Sequence, residues 1–146
     1  MIAIDTNILV YAHRRDSEFH ARAAAAVLGL TETAEHWGIP WPCIHEFLAV
    51  VTHPRIFKQP TPLDKAINQV EIWLEAPNVK MISEAGSYWR ILAEMLTHGS
   101  ITGQKVNDAR IAAICKIHGV RELWSADRDF SRIRGVKTRN PLLQSD

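Results

Sequence analysis

The sequence predicts an α/β fold in which a small parallel sheet is covered by helices on both faces. Short apolar segments alternate with longer amphipathic ones along the chain, and this alternation is typical of a parallel sheet. The helical segments greatly outweigh the extended ones, so the sheet should be small and buried on both faces. The chain has 146 residues with no repeat or long linker. We therefore expect a single domain over residues 1–146.

The first half of the chain is predicted to form two strands and three helices. Asp16 or Ser17 is expected to cap the second helix. Pro40 and Pro42 favour the end of a short strand rather than its centre, and Pro54 stops the helix that follows. The predicted elements are a strand at 2–4, helices at 7–13 and after 17, a strand at 38–41 and a helix at 43–53.

The second half of the chain alternates in the same way. Thr61 is expected to cap a helix that has Pro62 at its first position. A later helix begins at Ser83 or Ser87 and carries Trp89 on its apolar stripe. The remaining predicted elements are a strand at 79–82, a helix at 106–118 and two short strands at 122–125 and 136–139.

The composition is that of an ordinary soluble globular protein, with 47% hydrophobic and 23% charged residues. No apolar run reaches the roughly 18 residues needed to cross a bilayer, and no signal peptide is recognised. Cys43 and Cys115 lie in apolar helical patterns, as in proteins of reducing compartments. We therefore expect a cytoplasmic location and no membrane partner. The net charge of +1 does not indicate a nucleic-acid binder, although basic residues crowd the stretch 121–139.

Asp5 is the first candidate functional residue, because it directly follows the apolar strand. Ligands of open parallel sheets bind beyond the carboxyl ends of the strands. Asp, Thr and Asn also cap helices, so Asp5 alone is explained equally well by a cap. If Asp5 is a ligand, capping falls to Thr6 or Asn7. Further carboxylates at the same edge of the sheet would favour the functional interpretation.

Four other acids follow strand ends or begin helices. Glu46 and Asp108 lie in the predicted first turns of two helices, and Asp127 and Asp129 follow the strand at 122–125. Each is also explained by the helix dipole or by a cap. In a parallel sheet, however, strand carboxyl ends and helix amino ends share one edge, so all these acids can converge with Asp5.

A divalent cation would relieve the repulsion between converging carboxylates. Oxygen ligands without His or Cys favour Mg²⁺ or Mn²⁺ over zinc. Such sites catalyse in-line phosphoryl transfer from water. The chain has no phosphate-binding glycine loop, which favours phosphodiester hydrolysis over nucleotide binding.

Four motifs, in order, resemble those of the PIN-domain ribonucleases, and in particular of the VapC-type toxins of toxin–antitoxin pairs. They span almost the whole chain, and the ordered set is more specific than any single piece. The motifs are Ile4-Asp5-Thr6-Asn7, His45-Glu46-Phe47, Asn107-Asp108-Ala109-Arg110 with the following Ile111-Ala112-Ala113, and Ser125-Ala126-Asp127-Arg128-Asp129-Phe130.

The resemblance implies a three-layer α/β/α sandwich and Mg²⁺- or Mn²⁺-dependent endoribonuclease activity. It implies that Asp5 and Asp108 are the principal metal ligands and that Glu46 is a further ligand that orients the attacking water. The fourth acid is Asp127 or Asp129, and the number of metal ions stays open. Thr6 and Ser125 are expected to steady neighbouring acids through their hydroxyl groups.

The resemblance also implies an RNA substrate, a cognate antitoxin and a homodimer. Trp73 and Trp89 are candidates for these protein surfaces or, alternatively, for the core. Four arginines are candidate RNA contacts, and one of them, Arg110, is equally suited to pairing with a site carboxylate. These are Arg14, Arg15, Arg110 and Arg128.

Several alternatives compete with a toxin nuclease. A receiver-like signalling domain would need a second acid beside Asp5 and a lysine after the strand at 122–125, and the chain has neither. A zinc site from Cys43 and His45, or from Cys115 and His118, lacks the second pair of ligands that tetrahedral coordination requires. A PIN-type housekeeping nuclease or a catalytically silent binding module would share the same fold.

Overall fold

Five parallel strands form the centre of the computed structural model, which describes residues 1–143 apart from the side chain of residue 131. Their order is β3-β2-β1-β4-β5, so the N-terminal strand lies in the middle of the sheet. Both faces of β1 are covered, and Ala3 and Ile4 are fully buried. The strands are β1 (Ile2–Ile4), β2 (Trp37–Pro40), β3 (Val79–Ile82), β4 (Glu122–Trp124) and β5 (Thr138–Arg139).

Within residues 1–143, six α-helices cover the sheet in two groups. In the first group, α1 packs on α2 and α3, and α3 packs on α4; in the second, α5 packs on α6. The chain runs outward from β1 to β3 and then returns to the other side of β1, so right-handed connections place the two groups on opposite faces. The helices are α1 (Thr6–His13), α2 (His20–Thr31), α3 (Trp41–Val51), α4 (Leu63–Leu74), α5 (Tyr88–Gly99) and α6 (Lys105–Ile117).

This arrangement confirms the predicted α/β/α sandwich around a small parallel sheet. Its core includes Trp37 from the sheet and Phe47 from α3, whose ring meets Trp73 edge-on at 4.9 Å between centroids. Among the helices of residues 1–143, none combines the length and apolar character needed to cross a membrane.

Two predicted helix caps are wrong because their side chains have other partners. Asp16 pairs with Arg14, and Ser17 accepts a hydrogen bond from the Phe19 amide before α2 begins at His20. Thr61 is buried, and its hydroxyl contacts His13 and Arg14. The N-cap residue of α4 is Pro62 instead.

The structure separates the two tryptophans for which a protein-contact surface and the core were both open. The side chain of Trp89 is 70% exposed on α5, whereas Trp73 belongs to the core. Leu92 and Met95 are the buried residues of α5. The core alternative therefore holds for Trp73 and fails for Trp89.

Asn78 holds together the end of the sheet opposite the predicted site. Its amide donates to the carbonyl oxygens of Leu30, Thr33 and Glu35 at 2.8–3.0 Å. Its carbonyl oxygen accepts the indole N–H of Trp37 at 3.0 Å. One buried side chain thereby fixes the loop that leads into β2.

Candidate metal centre

The two central strands bring Asp5 and Ser125 side by side. Ile4 is in register with Trp124, and the Asp5 amide donates to the Trp124 carbonyl at 3.0 Å. This is the point where the strand order reverses, because β1 connects to β2 on one side and pairs with β4 on the other. Ligands of open α/β sheets bind at such switch points.

Asp5 is 6% exposed, and both of its carboxylate oxygens accept hydrogen bonds. Oδ1 accepts from the Thr6 amide at 2.8 Å, and the thiol of Cys43 lies at 3.7 Å from the same atom. Oδ2 accepts from the Ser125 hydroxyl at 2.7 Å and from Asn7 at 3.2 Å. Asp5 is also the N-cap of α1, so the expectation that Thr6 or Asn7 takes over capping is wrong.

Asn7 joins the loops that follow β1 and β4. Its Nδ2 donates to Asp5 and, at 3.3 Å, to Ser125, while its Oδ1 accepts the Ala126 amide at 3.0 Å. Ser125 in turn accepts the Asp127 amide at 3.0 Å. The sequence pattern indicated only a capping role for Asn7, although this residue stands in the first motif.

Glu46 approaches the site from α3. The helix begins at Trp41, earlier than predicted, so Glu46 lies in the second turn and not in the first. Its Oε2 accepts the Thr6 hydroxyl at 3.0 Å. The hydroxyl of Thr6 thus fixes one carboxylate while its amide binds another.

Asp108, Asp127 and Asp129 form the closest acidic group. Each can offer one oxygen within 4.8 Å of those of the other two. Asp127 caps the short 3₁₀ helix Arg128–Arg132 by accepting the Asp129 amide at 2.8 Å. Asp129 lines the cavity in front of Asp5, together with Glu46 and Asp108.

Burial and mutual repulsion perturb two of these acids. Burial raises the pKa of Asp5 from 3.8 to about 6, against the lowering effect of its bonds to Ser125 and Thr6. Burial and the negative charges of Asp127 and Asp129 raise the pKa of Asp108 to about 6. Burial also raises the pKa of Cys43, so this thiol stays protonated beside Asp5.

The cavity has a volume of about 1130 Å³ and carries basic groups on its walls. Lys105, Arg110 and Arg132 line it opposite the acids. Arg110 donates from Nε to Glu84 at 2.6 Å, so its charge is paired with a carboxylate outside the five acids. Of the two alternatives for Arg110, pairing with one of the five acids is therefore not observed, and contact with RNA stays a prediction.

The structure does not bring Arg14 and Arg15 to this cavity. Arg14 is buried, binds Asp16 and the Gln59 carbonyl, and stacks over Phe57 at 4.0 Å. These contacts give Arg14 a structural role. Arg15 is exposed beyond the end of α1, and Arg128 is exposed at the start of the 3₁₀ helix.

The donor set suits a hard divalent cation. Within residues 1–143, the grouping of three or more potential metal ligands consists of carboxylates alone, the chemistry that Mg²⁺ and Mn²⁺ prefer. Burial, and to a lesser degree the neighbouring acids, raise the pKa values of Asp5 and Asp108 to about 6, and a bound cation would favour the ionised form of both. Cys43 is directed at Asp5, and His118 contacts the Ser83 carbonyl, so these residues of the alternative zinc pairs have other partners.

Comparison with known proteins places this arrangement in a family. The model of the PIN domain matches residues 2–136. Ribonuclease VapC48 of Mycobacterium tuberculosis is 31% identical over 138 residues, which are 94% of this chain and 95% of the relative. Ribonuclease VapC37 of the same species is 33% identical over 141 residues, which are 97% of each chain.

Solved structures share the fold at lower identity. VapBC2 from Rickettsia felis, bound to a DNA fragment from its promoter, has a TM-score of 0.72 at 20% identity and covers 96% of this chain and 98% of that one. M. tuberculosis VapC20, described as a sarcin–ricin loop cleaving toxin, has a TM-score of 0.70 at 16% identity and covers 96% and 100%. Because the family model covers most of the chain and the relatives match over nearly their whole length, the chain belongs to the PIN domain family and is similar to the VapC ribonucleases.

Proposed function

We propose that the chain is a metal-dependent endoribonuclease that acts as the toxin of a toxin–antitoxin pair. The observation that carries the proposal is the convergence of five carboxylates, from four separate segments of the chain, beside the switch point of the sheet. The ribonuclease names of the relatives and the RNA-cleaving activity stated for VapC20 support the substrate class.

Asp5, Asp108 and Asp129 would hold a divalent cation, Mg²⁺ or Mn²⁺, at the cavity. Asp127 lies within reach of the same group, although one of its oxygens caps the 3₁₀ helix. Glu46 completes the set from α3. The hydrogen bonds from Ser125 and Asn7 hold Asp5 in place and so prepare it for ligation.

When bound, the cation supplies the positive charge that activates water and neutralises the oxygens of the scissile phosphate. Thr6 occupies Oε2 of Glu46, which leaves Oε1 to accept a proton from the attacking water. Lys105 and Arg110 bind phosphate oxygens from the cavity wall. Water adds to phosphorus, the bond to the 3′ oxygen breaks, and the 3′ oxygen takes a proton from solvent water, so the products carry a 5′-phosphate and a 3′-hydroxyl.

RNA cleavage by the purified chain tests this proposal. We expect cleavage with Mg²⁺ or Mn²⁺ and none with EDTA. Asp108→Asn should abolish it, whereas Asp64→Asn, an acid in the first turn of α4 and far from the cavity, should leave it unchanged. Cleavage that survives EDTA or Asp108→Asn would overturn the metal mechanism, as would products that end in a 2′,3′-cyclic phosphate.

Expression in bacteria tests the toxin role separately. We expect growth arrest, relief of the arrest by the antitoxin encoded beside the gene, and a homodimer in solution. Asp108→Asn should be harmless to growth. Cleavage in vitro without growth arrest would favour the housekeeping alternative over the toxin.

A further inference from the structure

A second groove opens from the candidate metal centre. It lies between α5, the end of α6 and the segment 132–135, and has a volume of about 490 Å³. Gly99, Ile101, Arg132 and Ile133 line both this groove and the acidic cavity. The two are therefore continuous, and a ligand bound in the cavity can extend into the groove.

The charged residues of the groove are mainly basic. Lys116, Arg132 and Arg134 face a single acid, Glu94, along its lining. Within residues 1–143 none of these three cations forms an ion pair. Arg110, in the neighbouring cavity, forms an ion pair with Glu84 through its Nε. The groove thus presents uncompensated positive charge directly beside the acids.

Gly135 leaves room for the side chain of Lys116 in the groove. Its backbone has φ +99°, and a Cβ atom there would lie 3.4 Å from both Cδ and Nζ of Lys116 and 3.6 Å from Cε of Met95. A side chain at this position would therefore be strained and would crowd the exposed Lys116.

The length of the groove corresponds to a few nucleotides. Lys116 lies eight residues after Asp108 on α6, about 12 Å farther along the helix axis. A stacked nucleic-acid strand advances about 3.4 Å per nucleotide, so this distance spans about three nucleotides.

We propose that this groove binds the RNA backbone on one side of the scissile phosphate, with Lys116, Arg132 and Arg134 as phosphate contacts. The inference rests on the proposed nuclease function and adds to it the path of the substrate. Because the proposed contacts are between charged side chains and phosphates, the affinity should depend on the length of the RNA more than on its sequence.

Salt-dependent RNA binding tests the groove without catalysis. The affinity of the chain for single-stranded RNA of 4 and 12 nucleotides is measured in EDTA by fluorescence anisotropy, from 50 to 300 mM KCl. Lys116→Gln combined with Arg134→Gln should lower the slope of log K against log salt by about 0.7 for each phosphate that is no longer neutralised. The 12-nucleotide RNA should lose more affinity than the 4-nucleotide RNA, and by similar factors for different sequences.

A matched control removes two exposed charges elsewhere. Lys58→Gln combined with Lys65→Gln, before and on α4, should keep the wild-type slope. All four substituted residues are exposed, and thermal unfolding verifies that both double variants are folded. Conservative replacement by Lys116→Arg should retain binding.

The outcomes for the groove and for the nuclease are distinguishable. If the wild type cleaves RNA with Mg²⁺ but the groove variant keeps the wild-type slope and affinity, the groove proposal is overturned alone. If the slope falls in the groove variant but the wild type never cleaves, the groove is supported and the nuclease function is overturned.

Discussion

Asp5 should make the metal-free chain less stable as pH rises, and Asp5→Asn should remove this effect. Burial raises the pKa of Asp5 from 3.8 to about 6 in the folded state. Between these values the folded chain binds more protons than the unfolded chain, so the free energy of unfolding falls with increasing pH. The loss is complete above pH 6, where Asp5 is ionised in both states.

The magnitude follows from the two pKa values. A rise from 3.8 to about 6 corresponds to roughly 3 kcal/mol, of which roughly 2 kcal/mol falls between pH 4 and pH 7. Solvent screens little of this energy because Asp5 is only 6% exposed. In a domain of this size, a loss of roughly 2 kcal/mol lowers the melting temperature by about 4–8 °C.

Urea denaturation in EDTA, at several pH values from 4 to 7, measures the effect. The difference in unfolding free energy between Asp5→Asn and the wild type should grow by roughly 2 kcal/mol over this range. The hydrogen bonds that Asp5→Asn cannot form change its unfolding free energy by an amount that does not depend on pH. Asp64→Asn, which replaces an exposed acid, serves as the control. A difference that stays constant from pH 4 to pH 7 would refute the reasoning.

Three further predictions concern stability in urea. Asn7→Ala should lower the free energy of unfolding by about 1–3 kcal/mol because the Ala126 amide loses its acceptor. Asn68→Ala, at an exposed position, is its control, and equal effects of the two substitutions would contradict the role of Asn7. Phe47→Ala should lower the free energy of unfolding by about 3–5 kcal/mol, and Trp89→Ala by less than about 0.5 kcal/mol. The difference is expected because the side chain of Phe47 is 0% exposed and that of Trp89 is 70% exposed. Asn78→Ala should cost at least about 2 kcal/mol because three carbonyls lose their donor, and a near-neutral result would argue against its role in holding β2.

The fold was predictable because its signals are local. The apolar segment before Asp5 and the one before Ser125 read as buried strands, and the alternation of strands with helices required a parallel sheet. That sheet places strand ends at one edge, so the sequence also indicated which acids could meet. The order of the strands, which puts β1 in the centre, has no comparable local signal.

The interactions around the site were less predictable because they depend on distant partners. Thr61 has the sequence context of a helix cap, but His13 and Arg14, about 48 residues earlier, bind its hydroxyl instead. Arg14 looks like a surface cation, yet Gln59 and Phe57 enclose it. Side-chain hydrogen bonds across the chain override local preference, and no periodicity reveals them.

The hydrogen bond between Asn7 and Ser125 also bears on when the candidate site forms during synthesis of the chain. These residues are 118 positions apart, and β1 gains its second neighbour only when β4 has left the ribosome. A nascent chain that ends before residue 122 lacks Asp127, Asp129 and the hydroxyl that positions Asp5. The proposed RNA-cleaving centre therefore forms only in a nearly finished chain, and incomplete translation products lack it.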